Sequence, residues 1–497
     1  MASAADALGI QGVGERDLIS TPEAGPALVR GGMLRTGSFL GGSLFSVVAA
    51  AFLFRDLGVT DTGRYTTAMS LGAVVIGVTD FGLNVIGLRE LSVLRGEERD
   101  NIARAILGMR LALTSVGALL ITAFAFAVYG ELLGFGVLVA CVGMLLQSTQ
   151  TTLTMSLMAR LRLGWISALE FARQVGAAVA IVVLVLVGAH LLAFLAVTAL
   201  ITVLMLPPTV ALVKGDISIR PSFDVGQWRR LIVPGLAYSA ATVTATLYLR
   251  VAIVVVSLVD DSHQLGYFSV SFRVVEALLA LPGLVVGSAF PIFAHAAHED
   301  PARLGYALSR VFDAALIVGV WVSLSLAVGA SLAVDVVAGA GFQPAAGVLA
   351  IQGLVVGAVF VSTIWASILL SLHQHRVILI FNLSMLALVT VVVAVLAPLL
   401  GAEGAAIATA AVEIAAAIIG GNVVMRGRPH LRPSLQMLPK VAAAAAVGAS
   451  PILLTGVPVI GRLVMSSLLY TAILVLLRAF PADLLELLIG SRAGRRR

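Results

Sequence analysis

The sequence predicts an all-α, polytopic membrane protein with about fourteen transmembrane helices. Of its 497 residues, 60% are hydrophobic and only 12% are charged, and the mean hydropathy is +1.06. Soluble domains contain roughly 25% charged and 45–50% apolar residues. The length of the apolar runs is the third observation, because a helix needs roughly 20 apolar residues to cross the hydrocarbon core of about 30 Å.

Apolar runs of this length follow one another from residue 34 to residue 480. Each run predicts one crossing, and an even number of crossings places both termini on the same side of the membrane. The runs lie near residues 34–54, 65–88, 105–128, 132–158, 166–188, 191–213, 231–258, 265–290, 311–335, 345–371, 377–400, 404–425, 439–457 and 463–480.

The basic residues indicate which side that is, because cytoplasmic connections are enriched in Lys and Arg. With the N-terminus inside, the outward-facing connections hold only Arg55, Arg64 and Arg462, whereas the inward-facing ones hold clusters such as those in 89–104 and 426–440. We therefore predict a multi-pass protein of the plasma (inner) membrane with both termini cytoplasmic. The net charge of +6 reflects this bias and requires no nucleic acid partner.

Two segments about 200 residues apart, DTGRYTTAMS (61–70) and QLGYFSVSFR (264–273), share the order glycine, aromatic, hydroxyl. The offset equals six spans, and an even number of spans gives two halves of the same orientation. The predicted domains are a cytoplasmic tail (1–33), an N-terminal six-helix bundle (34–213), a cytoplasmic linker (214–230), a C-terminal six-helix bundle (231–425), two additional transmembrane helices (439–480) and a basic cytoplasmic tail (481–497).

Glycines four residues apart predict close contact between helices. The pairs are Gly37 with Gly41 and Gly283 with Gly287. This spacing places both glycines on one face of a helix, where the missing side chains allow a neighbouring helix to approach closely.

Ionisable residues inside the spans are the candidates for a binding site. A charged side chain deep in the bilayer costs at least a few kcal/mol, so it faces a partner or a wet cavity. Arg250 and Arg273 lie at about the same depth in spans 7 and 8, and Glu276 follows Arg273 by three residues on the same helix face. Span 2 adds Asp80 and Asn84.

Two interpretations of Arg273 and Glu276 remain open. They form either a structural ion pair that fixes span 8 to its neighbours or part of a phosphate site, since guanidinium matches phosphate oxygens in a fork geometry. Around Arg250 the sequence has no acidic residue within one helical turn, so its charge needs water, an acid from another span or an anionic ligand. With Arg55 from an outward-facing connection, the substrate-binding candidates are Arg250, Arg273, Glu276, Arg55, Asp80 and Asn84.

Other charged residues of the spans are interpreted differently. Arg110, Glu170 and Arg173 lie within two turns of the cytoplasmic face, where long side chains can extend to the membrane interface. Glu413 lies near the middle of span 12. Together with Asp80, it is a carboxylate that an antiporter could use.

The sequence contains no motif for catalysis or for a cofactor. Its two lysines, Lys214 and Lys440, do not lie in a GxxxxGK phosphate loop. The single Cys141 excludes an intrachain disulfide and a cysteine-based metal cluster. His373 and His375 are two residues apart, so on a helix they face different directions. No enzyme activity, catalytic residue, metal or cofactor is therefore predicted.

Two stretches resemble the polysaccharide flippase family, the O-antigen and teichoic acid exporters of the multidrug/oligosaccharidyl-lipid/polysaccharide exporter superfamily. They are FRDLGVTDTGRYTTAMSLGAVVIGVTDFGLNVIGLREL (54–91) and LGYFSVSFRVVEALLALPGLVVGSAFPIFA (265–294). The resemblance implies two six-helix bundles around a central cavity that opens alternately to either side, plus two extra helices. Cationic residues of the cavity would hold a pyrophosphate, as expected of Arg250 and Arg273, although many family members carry an acidic residue in span 7.

The expected function is that of a flippase, which moves a polyprenyl-(pyro)phosphate-linked oligosaccharide from the inner to the outer leaflet for cell-surface polysaccharide assembly. Its expected partners are membrane lipids and the glycosyltransferases and polymerase of the same pathway. One alternative is a drug or cation antiporter of the same superfamily, which would use carboxylates such as Asp80 and Glu413. The other alternative is a membrane-embedded polymerase or glycosyltransferase. The short outer connections disfavour this alternative, because they leave no room for an extracellular active site.

Overall fold

The computed structural model describes residues 24–479, apart from 234–235, 300 and 427. The first part of the predicted tail 1–33 and the predicted tail 481–497 lie outside the described residues. Fifteen α-helices occupy the described part. They are α1 (Ala24–Asp80), α2 (Leu83–Val93), α3 (Gly96–Tyr129), α4 (Glu131–Ala159), α5 (Leu163–Leu186), α6 (Leu191–Val213), α7 (Val225–Ile232), α8 (Leu236–Val259), α9 (Ser262–Leu278), α10 (Ala280–Glu299), α11 (Pro301–Val337), α12 (Ala345–Ser371), α13 (His375–Met425), α14 (Met437–Ala449) and α15 (Val459–Leu476).

The all-helical, polytopic fold predicted from the sequence is confirmed. Among the described residues, regular structure is helical, and 11 helical segments are long and apolar enough to cross a membrane. The predicted count of about fourteen stays a prediction, because the structure joins neighbouring runs of the sequence. Helix α1 continues through Gly58 (φ 69°, ψ −177°) and α13 through Gly401 (φ 61°, ψ −142°), where the backbone is not helical. Residues 375–400 and 402–425 are each long enough for one crossing.

The chain packs as two compact units, one ending at Arg250 and the other beginning at Val251. In the first unit, α1 packs against α4 and α5, and α4 also packs against α3 and α6. Helix α1 begins at Ala24, ahead of the predicted start of the first span, and Pro26 lies in its first turn, where proline is tolerated. The predicted domain limits stay a prediction.

In the second unit, α12 packs against α9, α10, α11 and α13. The two helices predicted to be additional, α14 and α15, pack on α11. The Tyr470 hydroxyl donates to the carbonyl oxygen of Ile317 at 2.8 Å, and Trp321 Nε1 donates to Ser467 Oγ at 3.2 Å. These hydrogen bonds attach α15 to α11.

Matching glycines support the predicted repeat. Gly130 (φ 81°, ψ −174°) separates α3 from α4, and Gly339 (φ 84°, ψ −179°) follows α11 ahead of α12. Both positions follow the third predicted span of a half, and both have a positive φ that favours glycine. The same backbone conformation therefore recurs at two corresponding positions of the predicted repeat, which itself stays a prediction.

Of the four glycines in the predicted pairs, only Gly41 has a near neighbour, since a Cβ added there would lie 3.4 Å from the Phe171 ring on α5. A Cβ added at Gly37, Gly283 or Gly287 would meet no described atom within 4 Å, so the prediction for these positions is wrong. Spacing alone places glycines on one face but does not say whether a neighbour lies there. At Gly108 on α3, an added Cβ would lie only 2.6 Å from the backbone carbonyl carbon of Ser222.

Gly108→Ala should therefore destabilise the protein by about 1–3 kcal/mol, as overpacking does. The added methyl group would push the 214–230 connection away from α3, because it would meet backbone rather than a flexible side chain. Thermal unfolding in detergent measures the effect. Gly283→Ala is the control and should be neutral or stabilising by up to about 1 kcal/mol, since alanine has the higher helix propensity. Equal losses in both variants would contradict the assigned contact.

Candidate functional site

The first unit contains a buried ion pair between Arg110 on α3 and Asp80 at the end of α1. The side chains are 3% and 13% exposed, respectively. Arg110 Nη1 also donates to Thr152 Oγ1 on α4 at 2.9 Å and to Asn84 Oδ1 on α2 at 3.3 Å. One guanidinium therefore connects four helices, and its charge is balanced by a carboxylate in the interior of the unit.

This network lies at a break between two helices. Helix α1 ends at Asp80 and α2 begins at Leu83, and the intervening Phe81 and Gly82 have positive φ angles of 43° and 69°. Asn84 Nδ2 donates to Asp80 Oδ1 at 2.8 Å across this break. Arg110 contacts the residue before the break and a residue just after it, so its side chain holds both sides.

A second hydrogen bond crosses from α1 to α3 one residue before the break. The hydroxyls of Thr79 and Thr114 lie 3.0 Å apart, and both residues are buried. Interior polar groups in low dielectric must be paired to avoid a desolvation penalty. The polar side chains at this break are thus paired with one another, whereas the sequence suggested only isolated candidates.

The second unit contains the ion pair that the spacing of Arg273 and Glu276 indicated. Arg273 Nη1 lies 2.9 Å from Glu276 Oε2 within α9, and the side chains are 34% and 30% exposed. Helix α9 ends at Leu278 and α10 begins at Ala280, so this pair also lies close to a helix junction. About a third of each side chain is therefore not covered by other described residues.

The remaining candidates and Glu413 lie on other helices or at other positions of the same helices. Arg250 is half-buried on α8 at the end of the first unit and has an interaction partner in the structure. Arg55 is exposed on α1 and precedes the non-helical Gly58. Glu413 on α13 is 9% exposed and also has an interaction partner. The structure brings together Asp80 with Asn84 and Arg273 with Glu276.

The sequence interpretation of Arg110 as a residue extending to the interface is wrong, because its side chain points into the first unit. Its main partner, Asp80, is 30 residues away in the sequence, so no local spacing reveals the pair. The available signal was the cost of an arginine inside a span, which predicts an interior partner. By contrast, Glu170 and Arg173 form a local, partly exposed pair at 2.5 Å.

The described residues contain no group of three or more His, Cys, Asp or Glu side chains that could hold a metal ion. The rings of His373 and His375 have centroids 6.1 Å apart.

Paired charges beside helix junctions in membrane-spanning helices are the features of a transporter. Residues 52–347 match the family described as polysaccharide biosynthesis protein, and the chain belongs to this family. The motif resemblance noted in the sequence is thereby confirmed. No curated protein matches the chain at a significant level.

Solved structures with the same fold are transporters. The lipid II flippase MurJ, in an inward closed conformation, has a TM-score of 0.74 and 13% identity, and the match covers 90% of this chain and 99% of that chain. The MATE multidrug transporter DinF-BH has a TM-score of 0.57 and 15% identity, covering 84% and 98%. An inward-facing MATE family transporter of the MOP superfamily has a TM-score of 0.53 and 14% identity, covering 78% and 95%.

Proposed function

We propose that this protein is a flippase that moves a polyprenyl-(pyro)phosphate-linked oligosaccharide from the inner to the outer leaflet of the plasma membrane, for assembly of a cell-surface polysaccharide. The observation that carries the proposal is the Arg273 side chain, which is 34% exposed although it lies within a helix long and apolar enough to cross a membrane. A cation that remains accessible in this setting suits a phosphate-bearing ligand. The family and the flippase fold support the same substrate class.

In this proposal, Arg250 and Arg273 each bind phosphate oxygens during the transport cycle. Arg55 contributes a further cation near the outer surface, and Asp80 and Asn84 act through the network around Arg110. The lipid tail stays in the bilayer while the charged headgroup passes through a wet cavity, so no covalent bond is made or broken. Alternating access between two six-helix bundles, with limits 34–213 and 231–425, provides the path.

The exchange of partners at Arg273 explains the role of Glu276. An unliganded arginine inside the membrane needs a counter-charge, and Glu276 provides it at 2.9 Å. The phosphate of an incoming headgroup then competes with this carboxylate for the guanidinium. The glycosyltransferases that make the oligosaccharide act before this step, and the polymerase that consumes it acts after it.

The antiporter alternative is supported by the fold that the chain shares with MATE transporters. A cation or drug antiporter needs carboxylates that are available to its substrate or coupling ion. In this structure Asp80 is bound by Arg110, and Glu413 is 9% exposed and has an interaction partner. These contacts favour the flippase.

Ligand binding by the purified protein distinguishes the two proposals. We expect a polyprenyl-diphosphate disaccharide to bind the protein in detergent and Arg273→Ala to weaken that binding. A cationic dye should bind no better to wild type than to Glu413→Gln, which lacks a carboxylate that an antiporter would use. Binding of the dye that requires a carboxylate, with no binding of the diphosphate lipid, would contradict the flippase and favour the antiporter.

The orientation of the chain gives a separate prediction. The basic residues predict a cytoplasmic location for the 214–230 connection and both termini. His263→Cys and Lys214→Cys are suitable probes because both positions are exposed and the single native cysteine, Cys141, is buried. A membrane-impermeant maleimide should label position 263 in intact cells and position 214 only after the membrane is opened. The reverse pattern would contradict the topology.

A further inference from the structure

The connection between α6 and α8 is held firmly on the first unit. Its Ser218 backbone N–H donates to Asp100 Oδ1 at 3.2 Å, and its Ser222 N–H donates to the carbonyl oxygen of Arg104 at 2.8 Å. Asp224 then caps α7 by accepting from Gly226 N at 2.8 Å. These bonds fix the orientation of α7 relative to α3.

Helix α7 has one face packed and one face exposed. Leu231, with Trp228 and Ile232, packs into an apolar cluster that includes Leu83 and Met109. This contact fixes which side of the short helix faces outward. The connection is therefore a fixed surface feature and not a flexible linker.

The solvent-exposed side of the connection combines apolar and basic residues. Phe223 is 62% exposed and Val225 is 68% exposed, and Arg220, Arg229 and Arg230 are also exposed. We call these five residues the connection surface. Large apolar side chains beside arginines are typical of a helix that lies in the membrane interface, with the apolar groups inserted and the arginines at the headgroups.

We propose that the connection surface binds anionic phospholipid headgroups. Its charge is complementary to a negatively charged leaflet, and juxtamembrane arginines are attracted to such a surface. The predicted topology places it at the cytoplasmic leaflet. Because α7 is fixed to α3 through Ser222 and Trp228, lipid binding here stabilises the first unit directly.

The test compares the protein in nanodiscs of phosphatidylcholine with nanodiscs that contain phosphatidylglycerol. We expect the anionic lipid to raise the thermal unfolding midpoint of the wild type. The triple variant Arg220→Gln, Arg229→Gln, Arg230→Gln should lose more than half of this rise. The matched control removes three other exposed arginines of basic connections, as Arg89→Gln, Arg426→Gln, Arg432→Gln.

The control variant has the same change in net charge and should keep most of the rise. If both triple variants lose it equally, the effect is general electrostatics and the proposed surface is wrong. No rise in the wild type would also overturn the proposal. Transport is not measured, so the outcome is independent of the proposed substrate.

We further propose that Arg110 is a positioning residue that sets the angle between α1 and α2. Its guanidinium contacts Asp80 before the break and Asn84 after it, and Thr152 holds the same group from α4. The fork geometry of arginine allows one side chain to hold several acceptors in a fixed arrangement. Breaks in transporter helices are where segments reorient, so the angle at this break is a functional variable.

Spin labels at Thr60 and Ser92, both exposed and on opposite sides of the break, report this angle as a distance distribution. Arg110→Lys keeps the charge beside Asp80 but loses the fork, and Thr152→Val removes the contact that holds Arg110 from α4 while leaving the Asn84–Asp80 hydrogen bond in place. We expect a broader distribution in both variants and an unchanged one in Arg173→Gln, which removes a local pair elsewhere. If Arg110→Lys does not accumulate, Thr152→Val decides. Wild-type distributions in the variants that fold would overturn the proposal.

Discussion

Arg273→Ala should leave the protein folded in the membrane and weaken binding of a polyprenyl-diphosphate sugar about 10- to 150-fold. The magnitude follows from a hydrogen bond to a charged group, which contributes about 1.5–3 kcal/mol. Folding should change little, because the side chain is 34% exposed and exposed ion pairs contribute about 0–1 kcal/mol. Binding to the purified protein, membrane abundance and thermal stability are the measurements.

Variants of neighbouring residues separate the two interpretations of this pair. Arg250→Ala should resemble Arg273→Ala, and Glu276→Ala should bind substrate but transport it slowly, since the emptied arginine has lost its counter-charge. A structural clamp predicts another pattern. In that case both single changes at Arg273 and Glu276 would lower abundance, and the double alanine variant would restore both abundance and transport.

Arg110→Ala should have the largest effect on folding, a loss of about 3–5 kcal/mol. It leaves the Asp80 carboxylate, which is 13% exposed, without its cationic partner in the interior of the first unit. Replacing both residues, as in Asp80→Leu with Arg110→Met, should recover much of the loss, because apolar groups of similar size need no counter-charge. Thermal unfolding in detergent measures all three proteins.

The matched control is Arg173→Ala, whose partner Glu170 is 45% exposed and can be solvated. It should cost no more than about 1 kcal/mol. If Arg110→Ala is no more destabilising than Arg173→Ala, the ion pair between Arg110 and Asp80 is not buried in the way that the structure shows.

The helical membrane fold could be predicted from the sequence because it depends on composition and on the lengths of apolar runs. The pairing of Arg273 with Glu276 could also be predicted, since residues three apart on a helix are neighbours. The number of helices was harder to predict. Gly58 and Gly401 allow one helix to continue into the next, and a hydropathy pattern does not show how the backbone passes a glycine.

The network around Arg110 could not be predicted because its partners come from α1, α2 and α4. Asp80 and Asn84 are candidates because a polar or charged side chain inside a span costs free energy. The sequence, however, assigns Arg110, the cation that binds them, to the membrane interface. Contacts between distant segments leave no periodic signal in a single sequence. The same reason explains Gly108, whose close neighbour Ser222 is far along the chain.

The most direct test of the proposed function is translocation of a lipid-linked sugar by the purified protein in vesicles. A polyprenyl-diphosphate oligosaccharide with a labelled sugar is placed in both leaflets, and an enzyme or quencher outside the vesicle reports what becomes accessible. We expect wild type to make the inner pool accessible, and the Arg273→Ala protein, reconstituted in equal amount, to do so at a rate near that of empty vesicles. Equal rates for wild-type and empty vesicles, together with proton- or sodium-dependent movement of a cationic drug by the same preparation, would contradict the flippase and establish the antiporter.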